Sequence, residues 1–275
     1  MSLVSVRGIT VGYTEQGSGQ PLVLIHGHPF DRSMWQPQVD HFAGAGWRVI
    51  VPDLRGYGES TVIPGKTTLE TFARDIASLL DHLGVAGHVI GGLSMGGQIV
   101  MEYYRLFPQR VRALLLADTY AAAETEHGRK ERNDTADYLL REGMASFATE
   151  VLPRMVAPRN IATMPAVADH VLAMMLRTSP EGAAAALRGR AERRDYVEML
   201  SQVAVPTLVV VGSDDDFTSA NDARFIQERI PDAVLAIIEE AGHMPNLERP
   251  GEFNATLESF LEQLRADIPK PRTMP

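Results

Sequence analysis

The 275-residue chain has no cysteine, three lysines (Lys66, Lys130, Lys270) and no long hydrophobic run. Without cysteine there is no disulfide framework, thiolate metal site, iron–sulfur cluster or cysteine nucleophile, and neither redox compartment is favoured. Basic side chains number 26 against 35 acidic, a net charge of −9. That balance disfavours an electrostatic grip on nucleic acid or on an anionic membrane. Apolar runs such as Ala113–Ala117 and Leu208–Val211 fall far short of the roughly 20 residues that span a bilayer. Residues 1–16 hold no basic stretch followed by an apolar one, so a cytoplasmic protein is expected. What remains is 45% hydrophobic and 22% charged. A chain of this length and composition can bury roughly three quarters of its unfolded surface in an ordinary core.

Short apolar runs mark strands. Residues 3–16 alternate in period two and break at Arg7-Gly8, which predicts a hairpin. Five continuous runs read as strands buried on both faces, each stopped by a turn residue. They are 21–25 (stopped by His26-Gly27), 47–51 (Pro52), 88–90 (Gly91-Gly92), 111–117 (Asp118) and 207–211 (Gly212). A sixth, 234–238, ends at Glu239-Glu240. Between them, 69–83 carries apolar residues in a 3.6 period, and 98–107, 221–230 and 253–264 behave likewise. Alternating strands and helices predict a mostly parallel sheet with helices on both faces. Residues 119–202 break the alternation with helical pattern, breaks at Pro153, Pro158, Pro165 and Pro180, and six of the twelve methionines. They are expected to form a helical cap, inserted between core segments 1–118 and 203–268. Residues 269–275 are expected to be disordered.

The sharpest chemical signal is Gly92-Leu93-Ser94-Met95-Gly96, between a strand and a helix. A serine on a strained strand-to-helix turn needs small neighbours two residues away on each side, which this G-x-S-x-G supplies. The helix N-terminus beneath it favours developing negative charge. A nucleophilic serine requires a base, and the base an orienting acid. Of eight histidines, His243 follows the last strand, on the sheet edge where Ser94 lies. His41, His82 and His88 fall within or beside helices and strands, where packing explains them. Three acids, Asp214, Asp215 and Asp216, follow the preceding strand. A metal reading of His26, His28, Asp31 and Asp53 is weak, because Asp31 is one residue out of register and Arg32 stands where a ligand should. No metal and no cofactor is expected.

Nearly the whole chain resembles an α/β-hydrolase: GLSMGG, V-P-T-L-V-V-V-G-x-x-D and A-G-H-x-P-x-x-E-x-P are specific for that family. The resemblance implies the order Ser94, acid, His243, and selects Asp215, three residues after the strand-ending glycine. Ser219 stands where relatives often have proline, so Asp214 and Asp216 stay open. In His26-Gly27-His28-Pro29, similar to the family's H-G-x-P turn, the backbone N–H of His28 is implied to join that of Met95 in an oxyanion hole. Serine rather than aspartate as nucleophile sets the chain apart from dehalogenases and epoxide hydrolases. It is most similar to 3-oxoadipate enol-lactonases and related carboxylesterases, through Thr178–Gly182, Ala191–Asp195 and the stretch 203–250.

The expected function is hydrolysis of a small to medium, largely apolar carboxylic ester or lactone through an acyl-enzyme. Small molecules, not nucleic acid or membrane, are the expected partners. Expected pocket residues are Phe30, Leu140, Met144, Phe147, Met174, Met175 and Met244, with Met155 and Leu172 beside them. Arg188, Arg190, Arg193 and Arg194 read first as a solvated helix face, second as a carboxylate site. Perhydrolase or carbon–carbon bond hydrolase chemistry, or a non-catalytic receptor, are the alternatives.

Overall fold

A computed structural model describes residues 2–266. The expected tail, 269–275, lies outside the described residues. Among the described residues, eight strands form one sheet: β1 (Ser2–Val6), β2 (Ile9–Gln16), β3 (Gln20–Ile25), β4 (Trp47–Pro52), β5 (His88–Leu93), β6 (Val111–Ala117), β7 (Thr207–Gly212) and β8 (Ala233–Ile238). Their spatial order is β1-β2-β4-β3-β5-β6-β7-β8. β2 runs antiparallel to both β1 and β4, and every pairing from β4 through β8 is parallel. Arg7 and Gly8, with φ of 49° and 78°, make the β1–β2 turn, which suits the twist of a two-residue hairpin.

The apolar runs divide by parity. Val23, Ile25, Val209 and Val211 face one core, where helices α2 (Leu69–His82), α3 (Met95–Leu106) and α10 (Ala220–Gln227) contribute Phe72, Ile76, Ile99 and Ile226. Leu22, Leu24, Leu208 and Val210 face the other, filled by Val39 and Phe42 of α1 (Gln36–Gly44) and by Phe253, Leu257 and Leu261 of α12 (Pro250–Ala266). Each such side chain contributes about 1.5–3 kcal/mol by leaving water. α1 has no counterpart in the sequence pattern, because its buried residues Gln38, Val39 and Phe42 give only a thin apolar stripe. α3 starts earlier than its periodicity implies, since Gly96 and Gly97 in its first turn mask the pattern.

Residues 119–202 contain α4 (Glu126–Glu142), α5 (Ala145–Met155), α6 (Pro158–Thr163), α7 (Pro165–Arg177), α8 (Pro180–Ala191) and α9 (Val197–Leu200), and no strand. Pro158, Pro165 and Pro180 each open a helix, where the missing N–H costs nothing. Pro153 instead lies inside α5 near its end, and so does not break it. The alanine run 183–186 of α8 is buried, and Ala183 and Ala184 pack with Ala136 and Leu139 of α4.

α8 is also seated on the sheet layer by backbone approach. Thr67 N donates to Ala185 O at 2.9 Å. A Cβ on Gly182 would overlap the Gly56 carbonyl, and one on Gly189 would overlap that of Thr67. Gly189→Ala is therefore expected to destabilise the protein by roughly 1–3 kcal/mol through overpacking. Gly251→Ala, in open space at the start of α12, should be neutral or raise stability by up to about 1 kcal/mol. Urea titration of both variants checks the contrast.

Candidate active site

The six parallel strands β3 to β8 all end on one edge, so the loops after them converge there. Ser94 follows β5 with φ 58° and ψ −118°, a left-handed φ that a non-glycine residue adopts only when its surroundings enforce it. A Cβ on Gly92 would overlap Gly96, and one on Gly96 would overlap the Ile25 carbonyl. Ser94 N donates to Ala117 O at 2.9 Å, and the Thr119 hydroxyl donates to Ser94 O at 2.8 Å. The turn is thus clamped from β3 and β6, and Ser94 faces a cavity of about 470 Å³ that His243 also lines.

His243 Nδ1 lies 2.8 Å from Asp215 Oδ2, with both side chains almost wholly buried. The other oxygen, Asp215 Oδ1, accepts from Phe217 N at 2.8 Å. The neighbouring acids turn away: Asp214 accepts from the Ser213 hydroxyl, and exposed Asp216 pairs with Arg154 of α5 at 2.9 Å. Asp215 is thus the one of the three brought to His243. Ser219, in place of proline, caps α10 by accepting from Asp222 N at 3.2 Å, while the Asp222 carboxylate accepts from Ser219 N at 2.9 Å.

The turn after β3 lies beside the serine; a Cβ on Gly27 would stand 3.3 Å from that of Ser94. His26 is structural: its Nε2 accepts from Leu54 N at 2.9 Å and its Nδ1 lies 2.8 Å from Gly27 O. Burial lowers its pKa, keeping it neutral. His28 lines the cavity, with Nδ1 2.8 Å from the Tyr57 hydroxyl and Nε2 buried without a partner. Burial, then the Arg190 and Arg132 charges, hold its pKa well below the ordinary value, which keeps it neutral. Met95 begins α3, where a backbone N–H has no acceptor inside the helix.

Of the residues weighed for metal binding, Asp31 accepts from Ser33 and Arg177. Asp53 is paired with Arg32.

Of the expected pocket residues, only Phe147 lines this cavity, joined by Met155. Phe30, Met174, Met175 and Met244 are buried in the core beneath, Met144 packs between α4 and α8, and Leu140 is exposed. The wall is mixed. Phe147, Val151, Met155, Leu187 and Phe217 supply apolar surface, while Tyr120, Glu124, Arg132, Arg154 and Arg190 supply polar groups. The arginine run is not a solvated face throughout: Arg188 and Arg194 are partly exposed, but Arg190 and Arg193 are buried.

Glu248, which the sequence showed only as the E of A-G-H-x-P-x-x-E, ties down the backbone on both sides of His243. Fully buried, it accepts from Gly242 N (3.0 Å) and Met244 N (3.2 Å) on either side of His243. Its other oxygen accepts from Ala157 N (2.9 Å) and Asn160 Nδ2 (2.7 Å).

Residues 20–250 match the alpha/beta hydrolase fold family. The chain is an α/β-hydrolase. Among curated relatives, this hydrolase is 27% identical to 3-oxoadipate enol-lactonase 2 of Acinetobacter baylyi, over 94% of the chain and 96% of the relative. Among solved structures it is similar to a thermophilic esterase from Thermogutta terrifontis with malate bound. There the TM-score is 0.93 and the identity 36%, over 96% and 99% of the two chains. It is also similar to the enol-lactonase from Burkholderia xenovorans LB400, with TM-score 0.88 and 28% identity over 95% and 100%. Fold, family and relatives make it a carboxylic ester hydrolase of the esterase and enol-lactonase branch. No helix among the described residues is long and apolar enough to cross a membrane.

Glu248→Ala leaves three buried backbone N–H groups without an acceptor and takes one of two from Asn160 Nδ2, and is expected to cost roughly 3–5 kcal/mol of stability. Because two of those donors flank His243, kcat should fall more than KM changes. Glu248→Gln, which keeps one acceptor oxygen, should lie between the two. Thermal unfolding and steady-state kinetics of both variants check this.

Proposed function

We propose that this hydrolase cleaves small to medium carboxylic esters or lactones through an acyl-enzyme on Ser94, and that its preferred substrates carry a carboxylate directed at Arg190. His243 takes the Ser94 proton during attack on the carbonyl and then gives it to the leaving alcohol. Asp215 fixes the imidazole by accepting from Nδ1–H and stabilises the imidazolium. The backbone N–H groups of His28 and Met95 receive the oxyanion, each worth about 3–4 kcal/mol to the transition state. A water activated by His243 then releases the acid.

The carboxylate preference rests on charge around Arg190. Glu124 is paired with both Arg132 and Arg193. Arg190 donates from Nε to the neutral Gln98 at 3.1 Å, and no carboxylate pairs with it among the described residues. Burial and then Arg132 push its pKa down to about 9, the mark of a cation held without a counter-charge. Burial alone would raise the Tyr120 pKa, but Arg190, Arg132 and Arg193 outweigh it and draw it down. A substrate anion supplies the missing charge, and the enclosing wall strengthens the attraction. The enol-lactonase names and the malate in the Thermogutta esterase agree with this reading.

The test compares mono-p-nitrophenyl succinate with p-nitrophenyl butyrate. Ser94→Ala should lose about 10³-fold or more in kcat on both. Arg190→Met should lose about 10–100-fold in kcat/KM on the succinate ester alone, the worth of one charge-assisted hydrogen bond. Equal losses on both esters would contradict the carboxylate assignment. Retained turnover in Ser94→Ala would contradict the acyl-enzyme.

A further inference from the structure

One buried acid beside the triad has no task in the mechanism above. Asp118 ends β6 at φ 47°, a left-handed conformation rare for a side chain other than glycine. It is held there by Asp118 N donating to Val210 O at 2.9 Å, and by Gly212 N donating to Asp118 Oδ1 at 2.9 Å. Its second oxygen, Oδ2, is buried and accepts from nothing. Ligand-capable atoms of Asp118, Asp215 and His243 all lie within 4.8 Å of one another. Asp215, by contrast, spends both oxygens as acceptors, one from Phe217 N and one from His243.

Two carboxylates this close inside protein cannot both stay ionised. Asp215 has the donors that favour the charged form; Asp118 has one backbone donor and an orphaned oxygen. An orphaned oxygen next to a carboxylate is satisfied once it carries the proton, because it then donates. We propose that Asp118 is a positioning residue of the triad, its protonated carboxyl donating to Asp215, so that the pair turns a single shared negative charge toward His243. The charged and titratable groups facing Asp118 agree. Burial raises its pKa well above the ordinary carboxylate range, and Asp215, after β7, and Glu248, in α11 (Pro245–Glu248), raise it further. The donor spreads the Asp215 charge and limits how strongly it holds a proton on His243. If Asp215 is neutralised, Asp118 loses the neighbour that keeps it protonated and supplies the negative charge itself.

This inference rests on the triad reading, and its tests separate the two. In Asp118→Ala the charge concentrates on Asp215, so the acid limb of the kcat/KM pH profile should move up by about one unit. Asp118→Asn, which restores an N–H donor, should return the limb to its native position; a purely space-filling role would cost Asp118→Ala stability without moving the limb in either variant. Asp215→Asn should keep about tenfold or more activity over Asp215→Asn/Asp118→Asn, since residues acting as one unit are not additive. Infrared spectra of the native protein at neutral pH should show the carbonyl stretch of a protonated carboxyl that Asp118→Asn lacks. Absence of that band, or equal activity of the single and double variants, would overturn the proposal. Full activity in the double variant would overturn the triad reading with it.

Discussion

The backbone of Ser94 is held at φ 58° and ψ −118°, a conformation costing on the order of 1–3 kcal/mol. It persists because the chain around it leaves no other course. Gly92 and Gly96 pass each other and the Ile25 carbonyl with no room for a side chain, while Ala117 and Thr119 tie the serine to β6. The strained turn lifts the side chain off the sheet edge and starts α3 directly beneath it. The cavity that Ser94 lines, and the roles proposed for His243, Asp215 and the two backbone N–H groups, all follow from where that serine stands.

Around it, the molecule assigns charge by burial. The edge gathers His243, Asp215, Asp118 and Glu248 in space from which water is largely excluded. Four N–H groups converge on Glu248, Phe217 N and His243 on Asp215, and only Gly212 N on Asp118, the acid proposed to carry the proton. In the cavity wall, Arg132 and Arg193 share Glu124, leaving Arg190 short of a partner. The site is therefore negative behind the base and positive where a substrate tail would lie. That polarity suits an anionic acyl group better than an apolar one.

Much of this was legible in the sequence. Strands buried on both faces announce themselves as continuous apolar runs, and Ser94 and His243 stand in motifs whose residue types are set by local sterics. Choosing among Asp214, Asp215 and Asp216 needed more, because the partners that tell them apart, His243 for Asp215 and Arg154 for Asp216, lie far away in the chain. The pocket lining was least legible. Met174 and Met175 sit at helical spacing like any wall residue, but α7 turns them into the core. Which face α8 presents is fixed by long-range backbone approach at Gly182 and Gly189. For the same reason a run of arginines that reads as a solvated face delivers Arg190 into the cavity. Asp118 was visible only as the residue that ends a strand.

The account stands on a covalent intermediate at one residue. The direct measurement is intact-protein mass after rapid acid quench during turnover of an activated ester, followed by peptide mapping. A mass gain of one acyl group, located on the peptide carrying Ser94 and absent from Ser94→Ala, is the predicted result. Sustained hydrolysis with a burst of released alcohol but no adduct on Ser94, or an adduct on another side chain, would contradict it.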